Sequence, residues 1–204
     1  MSPFEAAVCR SAPWRFVARR VVLPWALQGV RPHGRVLEIG AGSGAMAAEL
    51  LSTFGDISMC VTDVDDGMVT AASDRLRSFA DRVELRQADA TALPFDDDSF
   101  DVVVSWIMLH HAVRWEQALA EVVRVLRPGG RLVAYDLLAT GPFRRLHRDD
   151  GHHHRAMQLD ELQRVLRELL LDDISVRRGR GGIVVRFNAR VAGGRGGSLP
   201  PPQR

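Results

Sequence analysis

Four polar side chains stand at or near the ends of four successive apolar runs: Glu38, Asp63, Asp89 and Ser105. A carboxylate accepts hydroxyl and amino protons, and charged acceptors make the stronger hydrogen bonds. It is also a natural counter-charge for an ammonium or sulfonium group. Two imidazoles, His110 and His111, follow the fourth run. Imidazole titrates near neutrality, so either could serve as a general base. Directly after the first acid comes Gly40-Ala41-Gly42-Ser43-Gly44, three glycines at alternate positions. The chemistry implied is capture of a nucleoside-type ligand with a cationic end, beside a group able to take up a proton.

These side chains need elements to position them. Val36 to Ile39 reads as a buried strand, and Ala45 to Leu50 are good helix formers, so the glycines occupy a strand-to-helix turn. Glycine lets the backbone turn sharply and lets a ligand approach without a Cβ in the way. The helix start adds unpaired N–H groups and positive dipole. A glycine-rich αβ loop that binds nothing is the plain alternative, and three glycines so placed disfavour it. Gly40, Gly42 and Ala45 also satisfy the G-x-G-x-x-A pattern of nicotinamide and flavin sites, and both readings expect a ribose-binding acid about twenty residues on. Asp63 fits that place, after Ile57 to Val61. Glu38 decides between them. A pyrophosphate gains nothing from a carboxylate in the first strand, whereas a ligand with an ammonium and a sulfonium does. That favours S-adenosylmethionine, which carries both.

Strand and helix patterns alternate along the chain, as in a parallel α/β sheet. Residues 4–29 read as helical, broken at Pro13 and Pro24, with a basic side from Arg15, Arg19 and Arg20. Strands are expected at 35–39, 57–62, 82–87, 100–106 and 131–138, and helices at 45–54, from about 66 to 80, at 115–126 and at 159–170. Asp65 or Asp66 can cap the second of these helices. Ile174 to Arg178 and Ile183 to Val191 are joined by a short glycine-rich link, which makes them an antiparallel hairpin. In open α/β sheets ligands bind at the carboxyl ends of the strands, so Glu38, Asp63, Asp89 and Ser105 are expected to converge on one crevice.

Composition bounds the answer. The 204 residues suit one domain with a substantial core. All 27 basic residues are arginine, yet the net charge is only +2, too small to argue for a nucleic-acid or membrane partner. Seven arginines and no acid lie from Ile174 onward, read as a solvated basic face in preference to a nucleic-acid patch. Cys9 and Cys60 have no metal or redox spacing. The apolar patch Val21 to Leu27 is short, contains Pro24 and cannot span a bilayer. With no secretory signal visible, the expected compartment is cytoplasmic.

The motifs together resemble a class I S-adenosylmethionine-dependent methyltransferase, of the small-molecule group similar to the ubiquinone/menaquinone C-methyltransferases. They are VLEIGAGSG (36–44), VTDVDDGMV (61–69), ADATALPFDDDSFDVVVS (88–105), LHH (109–111) and ALAEVVRVLRPGGRLV (118–133). The resemblance implies a Rossmann-like, seven-stranded, mostly parallel α/β sheet with helices on both faces and a C-terminal antiparallel hairpin. It implies a cofactor-binding domain over 35–191; the helical residues 1–34 are read as a cap over the site, and the Gly- and Pro-rich residues 192–204 as a disordered tail. Glu38 and the turn of Gly40, Ala41, Gly42 and Gly44 would hold the methionine part. Asp63 would take the ribose hydroxyls, with Val64 and Met68 against the adenine. Asp89 and the Ala90 N–H would read the adenine edge, and Ser105 would line the transferring methyl.

Of the two imidazoles His111 is slightly preferred as base; the plain alternative is that one packs under the cofactor and the other is structural or exposed. His152-His153-His154 is read as a solvated loop, since consecutive histidines do not all point one way, so no metal is expected. Strand four ends Ser105-Trp106-Ile107-Met108, without the Asn/Asp-Pro-Pro-Tyr box of amino-group nucleic-acid methyltransferases, and no Pro-Cys nucleophile occurs. The expected partner is a small-molecule methyl acceptor. The short segment 139–158 leaves open an acceptor site completed by the N-terminal helices or by a second copy in a homodimer. The rivals are a non-catalytic binding protein or partner subunit, a nicotinamide oxidoreductase disfavoured by Glu38 and Asp89, and an RNA methyltransferase using the C-terminal arginines.

Overall fold

The structure is a computed structural model describing residues 18–138, 157–179 and 181–193. Its strands are β1 (Gly34–Ile39), β2 (Ile57–Asp63), β3 (Val83–Gln87), β4 (Phe100–Trp106), β5 (Leu126–Leu137), β6 (Leu171–Arg178) and β7 (Val184–Val191). The helices are α1 (Leu23–Leu27), α2 (Ala45–Thr53), α3 (Asp66–Leu76), α4 (Trp115–Val125) and α5 (Leu159–Glu168). All seven strands form one sheet in the order β3-β2-β1-β4-β5-β7-β6. The first five pair in parallel, and β7 runs antiparallel to both β5 and β6. Chain order reverses between β1 and β4, which creates a crevice above the carboxyl ends of those two strands.

The core divides by strand pleat. Val36, Met59, Val61, Val102, Val104 and Val133 pack with Leu23, Ala26, Leu50, Leu51, Ala72 and Leu76 on one face of the sheet. Leu37, Ile39, Cys60, Val103, Leu132 and Ala134 pack with Trp115, Leu119, Val122, Leu162 and Leu166 on the other. Helices therefore cover both faces, as the near-continuous apolar run of β4 demands of a doubly buried strand. Burial pushes the Cys60 thiol up to about 12, which leaves it an inert packing group.

Several boundaries differ from the periodicity, each for a local reason. The segment ahead of β1 continues through Pro24: a π-helical turn over Ala18–Val22 runs into α1, and proline near a helix start breaks no necessary hydrogen bond. β5 begins at Leu126, five residues early, because Leu126 pairs with Phe100 before a register shift. The shift spans Arg127-Pro128-Gly129-Gly130, where proline cannot donate to the ladder. α3 tightens into a 3₁₀ turn over Arg77–Phe79. α5 ends at Glu168, two residues short of the expected end, and Leu170 with φ +54° turns the chain straight into β6.

One arginine fixes the loop between β3 and β4. Arg124 of α4 donates to the carbonyls of Leu93 (2.9 Å) and Phe95 (2.8 Å) and to the carboxylates of Glu121 (2.7 Å) and Asp97 (2.9 Å). Glu121 in turn accepts the Leu93 N–H at 2.8 Å. Charge-assisted bonds of this kind contribute about 1.5–3 kcal/mol when sheltered, less here because Arg124 is about one-third exposed. Arg124→Ala is expected to lower unfolding free energy by about 2 kcal/mol in urea denaturation. An unchanged midpoint would show that the loop holds its place without this clamp.

Candidate functional site

The turn after β1 uses its glycines for three different ends. At Gly40 (φ +63°) a Cβ would overlap the Met108 side chain, coming within 2.8 Å of its Cβ and 3.3 Å of its Sδ. The close approach there belongs to another part of the chain, where the sequence suggested a ligand. A Cβ on Gly42 (φ +53°) would meet no atom within 4 Å, so this is the glycine with a face open to an incoming molecule. Gly44 lets α2 start against α3, where a Cβ would stand 3.1 Å from that of Ala72. The turn is held by Ala41 N–H to the Thr62 carbonyl (2.9 Å) and by Gly42 N–H to Asp63 Oδ2 (2.8 Å).

Asp63, at the end of β2, also accepts the Asp65 N–H through Oδ1 at 3.0 Å. It braces the glycine turn and the cap of α3 together. Asp65 caps that helix by accepting from the N–H groups of Gly67 and Met68. Val64 is about two-thirds exposed and Met68 is half-buried on the first turn of α3. Beyond β3, Asp89 accepts the Thr91 N–H and hydroxyl, both at 2.8 Å, and these bonds hold its carboxyl below the usual carboxylate range. Ala90 is half-buried beside it.

Glu38 is 1% exposed, and its Oε2 has no hydrogen-bond partner. Burial, with a smaller push from the charge of Asp63, raises its carboxyl from the ordinary 4.5 to about 8. Burying a carboxyl without a partner is costly, and natural proteins keep few such groups. Ser105 is equally buried, and its hydroxyl also lacks a partner. The two do not share a face: Glu38 registers with Val104, and Ser105 with Ile39. Strand alternation therefore sends them to opposite sides of the sheet. Glu38 and Asp63 are close enough to interact at the carboxyl ends of β1 and β2, while Ser105 is buried on the α4 side of the sheet.

Asp136 lies outside every motif quoted above. This carboxylate, fully buried near the end of β5, accepts from the N–H groups of Met108 (3.1 Å), Leu109 (2.7 Å) and Leu137 (2.6 Å) and bonds His110 Nδ1 at 2.7 Å. A carboxylate only accepts, so Nδ1 carries the proton and Nε2 is the basic nitrogen. His110 is buried; His111 is exposed, its ring 3.9 Å from that of His110. The contact with Asp136 thus fixes the orientation of the His110 ring. The signal was present in the sequence: a lone acid near the carboxyl end of an apolar strand, the same rule that singled out Glu38 and Asp89.

The His110 turn is strained at its entry. Ile107 has φ +52°, an outlier for a β-branched residue, and is held there by its N–H to the Tyr135 carbonyl at 2.9 Å. Such strain gathers where a site needs a particular backbone path. His152-His153-His154 lie outside the described residues. Among the described residues no helix is long and apolar enough to cross a membrane.

A seven-stranded sheet in this order, with a glycine turn after β1 and acids at the ends of β1 and β2, is a Rossmann-like architecture. A family model described as "Methyltransferase domain" matches residues 36–130. The ubiquinone/menaquinone biosynthesis C-methyltransferase UbiE of Ectopseudomonas mendocina is 40% identical over 118 residues, 56% of this chain and 46% of that protein. The chain thus spans about half the length of that curated relative. Phosphoethanolamine N-methyltransferase 2 of Haemonchus contortus, solved in complex with S-adenosyl-L-methionine, superposes with a TM-score of 0.72 at 17% identity over 94% of this chain and 60% of its own. The [4+2]-cyclase SpnF gives 0.73 at 21% over 91% of this chain and 85% of its own. Residues 36–130 therefore resemble a methyltransferase domain; the two solved structures speak for the fold alone.

Proposed function

We propose that this protein transfers a methyl group from S-adenosylmethionine to a small-molecule acceptor, with His110, oriented by Asp136, as general base. The observation that carries the reading is the buried, partnerless Glu38 Oε2 at the end of β1, directly ahead of a turn in which Gly42 has an open face. That oxygen is the acceptor an ammonium group needs, and the residues present fit the cofactor. Glu38 and the Gly40–Gly44 turn hold its methionine part, Asp63 the ribose hydroxyls, Val64 and Met68 the adenine face. Asp89 and the Ala90 N–H take the adenine edge.

Bound there, the cofactor supplies a methyl group already activated on sulfonium. What remains for the chain is alignment, worth roughly 7–11 kcal/mol in favourable cases, and removal of a proton from the acceptor. Carbon methylation, the reaction in the relative's name, fits an oriented base best. As the acceptor carbon gains the methyl, its proton leaves to His110 Nε2, and Asp136 stabilises the imidazolium. Ser105 lines the methyl from the α4 face. The exposed apolar side chains of Ile107 (40%) and Val113 (52%) flank the His110 turn and suit an apolar acceptor.

The same reading takes residues 1–34 as a cap, 35–191 as the catalytic domain and 192–204 as a tail. It places the protein in the cytoplasm without a nucleic-acid partner and leaves a homodimer to be tested by sedimentation. The deciding experiment is calorimetric titration with S-adenosylhomocysteine, with NADH in parallel. Micromolar binding of the first and none of the second is expected, with Asp63→Ala weakening it at least about tenfold, or 1.4 kcal/mol. Binding of NADH alone would overturn the proposal. Binding without turnover across an acceptor screen would favour the non-catalytic reading.

A further inference from the structure

Met108 joins the two halves of the site, and neither the cofactor motif nor the His110–Asp136 pair accounts for it. Its side chain lies in the space that a Cβ on Gly40 would occupy. Its backbone belongs to the other half: the Met108 N–H donates to Asp136 Oδ2 at 3.1 Å, and its carbonyl accepts the His111 N–H at 2.9 Å. The preceding residue is the strained Ile107, and the next two are Leu109, also tied to Asp136, and His110. The path from the glycine turn to the imidazole is therefore one side-chain contact and a few bonds of backbone.

We propose that Met108 is a positioning residue: seated on Gly40, it sets where the His110 imidazole stands relative to the cofactor turn and passes movement of that turn to the imidazole. The inference rests on the methyltransferase reading for its ligand and on the geometry alone for its contact. A packed contact to a glycine is stiff on the Gly40 side, where there is no side-chain rotamer by which to yield. The thioether chain is adaptable enough to follow a shifted turn. Without a Cβ at position 40 the two segments approach more closely than any other residue there would allow.

The test uses the full chain with Met108→Ala, Met108→Leu, Gly40→Ala and the double variant Gly40→Ala/Met108→Ala. The readout is the imidazole ¹H–¹⁵N spectrum of His110, assigned by its loss in His110→Gln. Without ligand, Met108→Ala is expected to move the His110 signals, and Met108→Leu, close in volume, to restore them. Gly40→Ala, whose Cβ would displace Met108, moves them too; removing Met108 in addition produces no further displacement, the non-additivity of a shared contact. On adding S-adenosylhomocysteine, the wild-type His110 signals shift. In Met108→Ala that response is lost while affinity stays within about threefold of wild type.

Unmoved His110 signals in both single variants overturn the contact. A ligand response that survives in Met108→Ala overturns the transmission. Failure of the wild type to bind S-adenosylhomocysteine overturns the methyltransferase reading instead, and the ligand-free spectra still decide whether Met108 positions the imidazole. Folding is followed by near-ultraviolet circular dichroism, and Gly40→Ala carries the test of the contact where Met108→Ala fails to fold.

Discussion

Glu38→Gln is expected to make the ligand-free protein more stable than the wild type at alkaline pH while weakening cofactor binding about a hundredfold or more. The sign follows from burial. The Glu38 carboxyl sits at about 8 in the folded chain against 4.5 as the ordinary value, mainly because burial disfavours its charge and secondly because Asp63 is near. Between those two values the folded state keeps a proton that the unfolded state has lost. Stability therefore falls as pH rises from about 4.5, and the loss is complete above about 8. At about 1.4 kcal/mol per pH unit, the wild type loses up to about 5 kcal/mol over that window. Glutamine has no charge to bury and escapes the loss.

Urea denaturation of both proteins at pH 5.5, 7 and 8.5 checks this. The two are expected to differ little at the lowest pH and by several kcal/mol at the highest. Parallel stability–pH curves would sink the idea. Binding provides the complement: an ammonium beside Glu38 favours its ionised form. Titration with S-adenosylhomocysteine near pH 7 should then release close to one proton, visible as a binding enthalpy that changes with the buffer's ionisation enthalpy. The hundredfold loss in Glu38→Gln corresponds to about 2.7 kcal/mol, within the range of a charge-assisted hydrogen bond to a buried group.

Asp136→Ala should be the most damaging single change to the catalytic side. Four donors converge on this carboxylate, and removing it leaves buried N–H groups without acceptors and His110 without its orienting partner. Breaking a buried polar pair from one side costs roughly 3–5 kcal/mol. Asp136→Asn keeps the shape and most acceptor capacity and should cost less, yet it no longer supplies the charge that stabilises the imidazolium. Methyl transfer is expected to fall by roughly 10²–10⁴-fold in Asp136→Asn, with affinity for S-adenosylhomocysteine little changed. The check is denaturation for the first variant and, for the second, turnover with an acceptor found by screening together with the His110 tautomer in ¹⁵N spectra. Full turnover in Asp136→Asn would reduce the pair to a structural brace for the strained Ile107 turn.

The sequence by itself determined the strand–turn–helix at 36–50, the parallel character of β1 to β5, the antiparallel β6–β7 pair and the cofactor class. Each is written in neighbouring residues: Val102-Val103-Val104 marks a strand buried on both faces, Gly-Arg-Gly-Gly after Arg178 permits a tight link, and Glu38 beside three glycines selects a cationic ligand over a pyrophosphate. Only the tertiary structure decided what depends on pairs distant in sequence. His110 and Asp136 lie 26 residues apart and meet because β4 and β5 register in parallel. Met108 reaches Gly40 across the same switch point. The pleat sends Glu38 and Ser105 to opposite faces, since Glu38 registers with Val104 and Ser105 with Ile39. Strand register is set by packing over the whole sheet, and no local spacing encodes which side chains it brings within a hydrogen bond of one another.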